Sequence, residues 1–328
     1  MNFNAVKPLC AAALVVVWGT VGAQTPSYPT GPIRLIVATT AGGPADLVAR
    51  TLGAKLGEIL GATVVVENKA GANGNIAADF VAKSAPDGQT LLLGTGAFAI
   101  NPAIYKKLSY NGAKDFAPVA MALAPGPFVL VTHPSVPAKD VKELIKFGNA
   151  QPSALTYASA GIGNSTHLAG EMFSQLGGVS LRHIPYRGMS VGLNDVVAGQ
   201  VHMMFNAWPS VESFVKQGKL RLLAQTGATR QAPLGDIPTM DEAGAKGFDI
   251  TGWMVLFARA GTPTDTINKL NLAIKKAADM PDVRAKFAAF GGSEPSTFSP
   301  EQVASFVQAE VLRMEQVAKA AKLSLESD

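Results

Sequence analysis

Apolar positions along the chain alternate between short β-rich runs and stretches with helical spacing. Ile33-Arg34-Leu35-Ile36-Val37 is an apolar run of strand length, whereas Val48, Leu52, Leu56 and Ile59 recur at the period of a helix face. Thr63 to Glu67 reads as the next strand and Asn73 to Ser84 as the next helix. A third strand, Thr90 to Gly94, follows the turn signal Pro86-Asp87-Gly88. Strands and helices alternating through short loops predict right-handed crossovers and a parallel sheet. The rhythm resumes with a strand from Phe128 to Thr132 and a helix from Ala138 to Asn149. Leu155-Thr156-Tyr157 leads into a helix from Asn164 to Leu176. Leu181 to Ile184, Ser190 to Ala198, Val201 to Phe205 and Leu220 to Ala224 continue the alternation. No segment recurs at a fixed period, so a solenoid is excluded.

The last third changes character. Asp249 to Ala258 reads as a strand, and helices follow over Thr264 to Asp279 and Ser299 to Ala321. On the final helix Val303, Phe306, Val307, Val311, Met314 and Val317 form one apolar stripe, which must pack on a sheet already made, that of the first domain. Chain crossings are expected near Pro125-Gly126-Pro127 and near Gly252. They divide the chain into a discontinuous domain, 28–126 plus 253–328, and an inserted domain, 127–252, hinged as a clamshell. The 328 residues are enough for two such domains.

Composition narrows the function. With 48% hydrophobic residues the chain is not disordered. The net charge of +4 is spread without a Lys/Arg run, which argues against a nucleic-acid partner. Lys7, the apolar stretch Leu9 to Trp18 and the small residues Val21-Gly22-Ala23 have the layout of a cleaved secretory signal over residues 1–23, too short to span a bilayer. The single cysteine, Cys10, lies inside it. A mature chain then has no thiol for a disulfide, a Cys-ligated zinc or nucleophilic catalysis.

Two glycine-rich loops carry the candidate chemistry. Thr39-Thr40-Ala41-Gly42-Gly43-Pro44 joins a strand to a helix, with Pro at the helix start where a missing N–H is no loss. Gly161-Ile162-Gly163-Asn164-Ser165-Thr166-His167 repeats the arrangement in the other half. Outward N–H groups and the positive end of a helix suit an anion. Asp46 either caps its helix or touches the ligand. Ligands of open parallel sheets bind beyond the carboxyl ends of strands, where both loops belong. Neither loop has the lysine of a phosphate-binding loop, and Ser165 and His167 diverge on a helix. His133, His167, His183 and His202 lack metal-ligand spacing. The alternative class, a secreted α/β enzyme acting on a small carboxylic acid, lacks an acid–base or nucleophilic pair in this reading.

From Tyr28 to about Leu323 the stretches AGGPADLVAR, VVVENKAGANGNIAADFVAKSAPDGQTLLLGT, THPSVPAKDVKELI, YASAGIGNSTHLAGEMF, HIPYRG, DIPTMDEAG and LFARAGTP occur in one order. In these the chain resembles the solute receptors of tripartite tricarboxylate transporters, the Bug family of periplasmic binding proteins. The resemblance implies an α/β, two-domain, type II periplasmic-binding-protein clamshell, each domain a mostly parallel sheet flanked by helices. It also implies no cofactor, a periplasmic location, a monomer, and capture of a small organic anion for membrane permease subunits. By the same resemblance Thr40, Ala41, Gly42 and Asp46 form one binding loop and Gly163, Asn164, Ser165 and Thr166 the other. The segment Gly96 to Pro102, with Ala97 and Phe98, forms a third wall. Asp195 matches an acidic position near the cleft, or is an exposed helix charge. Phe98 and the run Asn206-Ala207-Trp208 depart from the family pattern towards aromatic and apolar residues. Two helix ends and these walls lead us to expect an aromatic mono- or dicarboxylate, held by main-chain N–H groups and hydroxyls, over citrate, glutamate or aspartate.

Overall fold

The computed structural model describes residues 28–151, 154–231, 234–289 and 297–320. The expected signal segment, Cys10 included, and residues 321–328 lie outside the described residues. The first part runs β1 (Ile33–Val37), α1 (Pro44–Leu60), β2 (Val64–Asn68), α2 (Asn75–Ala82), β3 (Thr90–Thr95) and α3 (Ala97–Ile104). Then come β4 (Phe116–Thr132), α4 (Val141–Ala150), β5 (Thr156–Ser159), α5 (Ser165–Gly177), β6 (Arg182–Pro185), α6 (Met189–Val197), β7 (Met203–Ala207), α7 (Trp208–Lys216) and β8 (Arg221–Gln225). The chain closes with β9 (Thr251–Arg259), α8 (Thr264–Ala278), α9 (Pro281–Ala289) and α10 (Pro300–Ala320).

The strands join in one mixed sheet, ordered β2-β1-β3-β9-β4-β7-β5-β6, with β8 also on β4. β2, β1 and β3 are mutually parallel, as are β6, β5 and β7, while β9 and β4 run antiparallel to their neighbours. This is the type II periplasmic-binding-protein fold. Strand direction now fixes where the loops go. β4 runs the same way as β1 and β3 and opposite to β5 and β7. The carboxyl ends of β1 and β3 therefore point towards the second half, and those of β5 and β7 point back towards the first.

β4 is one 17-residue strand, although only Phe128–Thr132 reads as strand in the sequence. Pro118, Pro125, Gly126 and Pro127 hide the rest. The ladder to β9 absorbs them through register shifts at Pro118/Ala120, Met121/Leu123 and Leu123/Gly126, the irregularities where proline fits a strand. Gly126 pairs with Gly252 and Pro127 with Thr251, the two places expected as crossings. α3, α7 and α9, short helices interrupted or opened by proline, were also not legible in the apolar pattern.

One cluster of buried side chains continues from Ile36, Phe98 and Phe257 in the first half to Tyr157, Phe173, Phe205 and Phe248 in the second. The stripe of α10 joins it through Val303, Val307, Met314 and Val317. α10 is also fastened to the crossing strand. Trp253 Nε1 donates to Glu310 Oε2 at 2.9 Å, Arg313 donates to both Glu310 oxygens at 2.9 Å, and Arg313 also donates to the Asp249 carbonyl. Glu310→Ala leaves a buried indole N–H without an acceptor and should cost about 1–3 kcal/mol. Urea unfolding of this variant beside Glu310→Gln, which keeps an acceptor, should show the smaller loss for glutamine; equal losses would mean the bond to Trp253 contributes nothing.

Candidate functional site

The first loop leaves β1 and enters α1 through Gly43, its N-cap, and Pro44. Gly42 has φ +79°, a backbone state glycine adopts at little cost. Asp46, only 2% exposed, builds this loop from below. Its Oδ2 accepts the Gly42 N–H at 2.9 Å and Arg50 Nε at 3.0 Å. Arg50 also reaches Asn68, which donates to the Thr39 carbonyl at 3.1 Å. Burial pushes the Asp46 carboxyl up, but hydrogen bonds from Arg50, Gly42 and Asn68 and the Arg50 charge hold it below its ordinary value. Asp46 therefore shapes the loop by holding Gly42, and α1 itself has no side-chain cap. Asp46 Oδ1 and Thr39 Oγ1 are buried without a hydrogen-bond partner among the described residues. Thr40, Ala41 and Gly42 are exposed, and the Ala41 and Gly43 N–H groups have no acceptor among the described residues.

The second loop leaves β5 and turns at Gly161 and Gly163, with φ +121° and +79°. Asn164 caps α5, accepting the Thr166 N–H at 3.0 Å and the Thr166 hydroxyl at 3.1 Å. Thr166 Oγ1 in turn accepts the Ala160 N–H at 3.1 Å. Its hydroxyl is thus engaged within the loop, and Thr166 is buried. Ser165 differs. Its Oγ has no hydrogen-bond partner among the described residues and approaches the first half so closely that a Cβ on Gly96 would lie 2.5 Å from it.

Beneath this loop lies a platform that sequence reading missed. His167 and His183 stack with centroids 4.1 Å apart, and Tyr157 stacks on His183 at 4.8 Å. His167 Nδ1 accepts the Gly163 N–H at 3.0 Å. Ser159 Oγ lies 2.5 Å from His183 Nε2 and accepts the Gly161 N–H at 3.1 Å. Tyr157 donates to Glu171 Oε1 at 2.6 Å, which lies 3.6 Å from His167 Nε2. Burial lowers both histidines to about 4, and the charge of His167 adds to the lowering of His183. Burial, then the hydrogen bond to Glu171, pushes the Tyr157 hydroxyl far up. The i, i+4 spacing of Gly163, His167 and Glu171 was the available signal, but His183 comes from another strand.

The second loop meets the first half at the turn before α2. Asn73, at φ 52° in the short 3-10 turn Ala72–Gly74, donates to the Gly163 carbonyl at 2.8 Å and to Asn101 Oδ1 at 2.7 Å. Asn101, 1% exposed, returns a bond to the Asn73 carbonyl and donates to Asn75 Oδ1, which also takes the Tyr110 hydroxyl. Gly163 thus donates its N–H within its own half and accepts from the other half with its carbonyl.

Other expected site residues fall elsewhere. Phe98 does not form a cleft wall. Its ring stacks on Phe257 at 4.3 Å, meets Phe116 edge-on at 5.2 Å and is only 6% exposed, because the apolar side of α3 turns into the core. Ala97, beside it, opens α3 and is likewise buried. Asp195 is neither a free charge nor a bare ligand group; it accepts the Tyr186 hydroxyl at 2.6 Å and braces the segment after β6. The Tyr186 hydroxyl is pushed up to about 12 by burial and by Asp195. Asn206 is buried and accepts the Ala207 N–H at 2.9 Å. Ala207 and Trp208 are half-buried at the carboxyl end of β7, Trp208 packing on the core of the second half. A separate cavity of about 540 Å³ lies away from the loops, between Arg34, Lys69, Phe80 and Lys83. Its Arg34 and Lys83 are already paired with Glu67 and Asp79. Among the described residues no three metal-ligating side chains converge, and no helix is long and apolar enough to cross a membrane.

The model of the tripartite tricarboxylate transporter family receptor matches residues 48–323. The chain is 34% identical over 289 residues to protein BugT of Bordetella pertussis, covering 88% of each chain. Among solved structures it is similar to R. palustris Rpa4515 with adipate, at 35% identity and a TM-score of 0.82, covering 91% of this chain and 100% of that one. It is also similar to MatC from Rhodopseudomonas palustris with bound malate, at 33% identity and a TM-score of 0.80, covering 88% of this chain and 99% of that one.

Proposed function

The chain belongs to the tripartite tricarboxylate transporter receptor family, and from that premise we propose that it is a periplasmic solute-binding protein that captures a small aliphatic dicarboxylate between its halves for delivery to membrane permease subunits. The observation that carries this reading is the contact across the halves between the turn before α2 and the second glycine-rich loop, joined by Asn73 and Gly163. Each of the two glycine-rich loops presents unpaired N–H groups at the positive end of a helix, a setting for one carboxylate apiece. No lysine or arginine is needed at either end; Arg50 is occupied by Asp46. Similar receptors hold adipate and malate, both diacids. With the Phe98 ring in the core, one of the two aromatic walls is gone, and a flexible chain fits better than a flat ring. Residues 28–126 with 253–328 and residues 127–252 form the two jaws, hinged where Gly126 pairs with Gly252. The close Ser159–His183 pair does not argue for turnover, since Ser159 is fully buried and its hydroxyl holds Gly161.

Calorimetry at pH 7 with adipate, malate, hexanoate, lactate and phthalate tests this reading. An aliphatic diacid should bind, and its monoacid counterpart should bind at least about tenfold more weakly, because hydrogen bonds to a charged group are worth about 1.5–3 kcal/mol. Heat from phthalate with none from either aliphatic diacid would reverse the assignment.

A further inference from the structure

We propose that His167 is a positioning residue for solute capture: its Nδ1, accepting from the Gly163 N–H, holds the Gly163 peptide in the orientation that joins the halves. This rests on the receptor reading above. The Gly163 N–H points at His167 Nδ1 at 3.0 Å, so that nitrogen must be an acceptor and the ring proton must sit on Nε2. The same peptide turns its carbonyl to Asn73 of the other half at 2.8 Å. A proton on Nδ1 would set two donors against each other, and the peptide would have to turn away from the histidine and from Asn73 together.

The surroundings keep the ring neutral. His167 is 6% exposed, and its other face is covered by His183, so a second imidazolium would lie 4.1 Å from the first. On α5 itself the facing charge is Glu171, whose nearer oxygen is 3.6 Å from Nε2 and already accepts the hydroxyl of Tyr157 from β5. From β6 comes His183; Arg182 of that strand acts on His202 instead. β7 brings no titratable side chain, and the acid that α10 buries, Glu310, is taken up by Arg313 and Trp253. One carboxylate thus faces two rings, and burial lowers both to about 4.

His167→Asn places an amide oxygen near the position of Nδ1 and cannot be protonated there, whereas His167→Phe keeps a ring without an acceptor. Binding of adipate and malate to all three proteins is measured by calorimetry from pH 7 to 4, and the Gly163 amide of the solute-free wild type is followed by NMR over the same range. At pH 7 His167→Asn should stay within about threefold of wild type, and His167→Phe should lose about tenfold or more. At a pH equal to the ring's own value half the molecules are competent, so by pH 4 the wild type should weaken about two- to fourfold relative to His167→Asn. Solute ionisation is common to both proteins and cancels in that ratio. The Gly163 amide should titrate together with the His167 ring. Parallel pH profiles in wild type and His167→Asn, or an amide that stays still while the ring titrates, would overturn the proposal. The amide titration needs no variant to fold. If neither diacid binds any of the proteins at pH 7, the receptor reading has failed, and the amide titration alone still decides the role of His167.

Discussion

Replacing Gly163 with alanine is expected to weaken solute binding by about 5- to 150-fold while each half stays folded. Gly163 sits at φ +79°, and a Cβ there would lie 2.5 Å from Ile104 Cδ1 and 3.0 Å from Asn73 Nδ2, both in the other half. The backbone strain acts whether the halves are apart or together and lowers stability by roughly 1–2 kcal/mol. The clash acts only when they meet. Overpacking of this kind costs about 1–3 kcal/mol, which lands entirely on the closed arrangement and so on apparent affinity. Ile104→Val removes the Cδ1 atom that collides. The double variant should therefore recover part of the lost affinity, although Ile104→Val alone removes a buried methyl group and destabilises by about 0.5–1.5 kcal/mol. Calorimetry with adipate and malate on the four proteins, with small-angle scattering for closure, checks both parts. Wild-type affinity in Gly163→Ala would mean that Asn73 and Ile104 do not press on this loop when solute is bound.

Stability should fall as the solution is acidified from about pH 6.5 to about pH 4, before most carboxylates are neutralised. His167 and His183 titrate near 4 in the folded protein, against 6.5 when free of it. A depressed value means that the unfolded chain binds more protons in this window, so folding stability rises with pH there. The contribution is complete above pH 6.5 and is lost as the pH falls through the folded value. Each histidine adds a slope of about 1.4 kcal/mol per pH unit at most, and for His167 the whole window amounts to roughly 3 kcal/mol. His183 is less deeply buried and contributes less. Against a total of about 5–15 kcal/mol this loss is large. Urea unfolding at half-unit pH steps should show the decline, and His167→Asn should remove half of it or more. A flat wild-type profile between 6.5 and 4.5 would show that the two rings are not kept neutral by the fold.

Much of the architecture follows from local pattern. A helix face repeats every three to four residues and a buried strand is a short apolar run, so β1, α1, β3, α5 and α10 could be located from side-chain order alone. Glycines flanking a strand–helix junction likewise marked both glycine-rich turns, since a turn of that kind needs backbone freedom wherever it folds. β4 was half-visible because prolines in a strand speak locally against it, and only the shifted ladder to β9 makes room for them.

Local pattern could not assign the direction or the partners of the polar and aromatic groups at the site. Phe98 lies on a short helix, and its burial was decided by Phe116 and Phe257, which approach from two other strands. Asp46 and Thr166 carry oxygens suited to a ligand, yet nearby N–H groups claim Asp46 Oδ2 and the Thr166 hydroxyl. His167 and His183 lie on different elements, and nothing between them in the chain brings their rings together; β5, β6 and α5 do. Residue order alone carries the alternation of elements, the two anion-suited loops and the family. Which groups hold the loops from beneath, and that Asn73 reaches Gly163, are set by packing, because hydrogen bonds and ring stacking depend on ångström distances between elements that the order of residues does not contain.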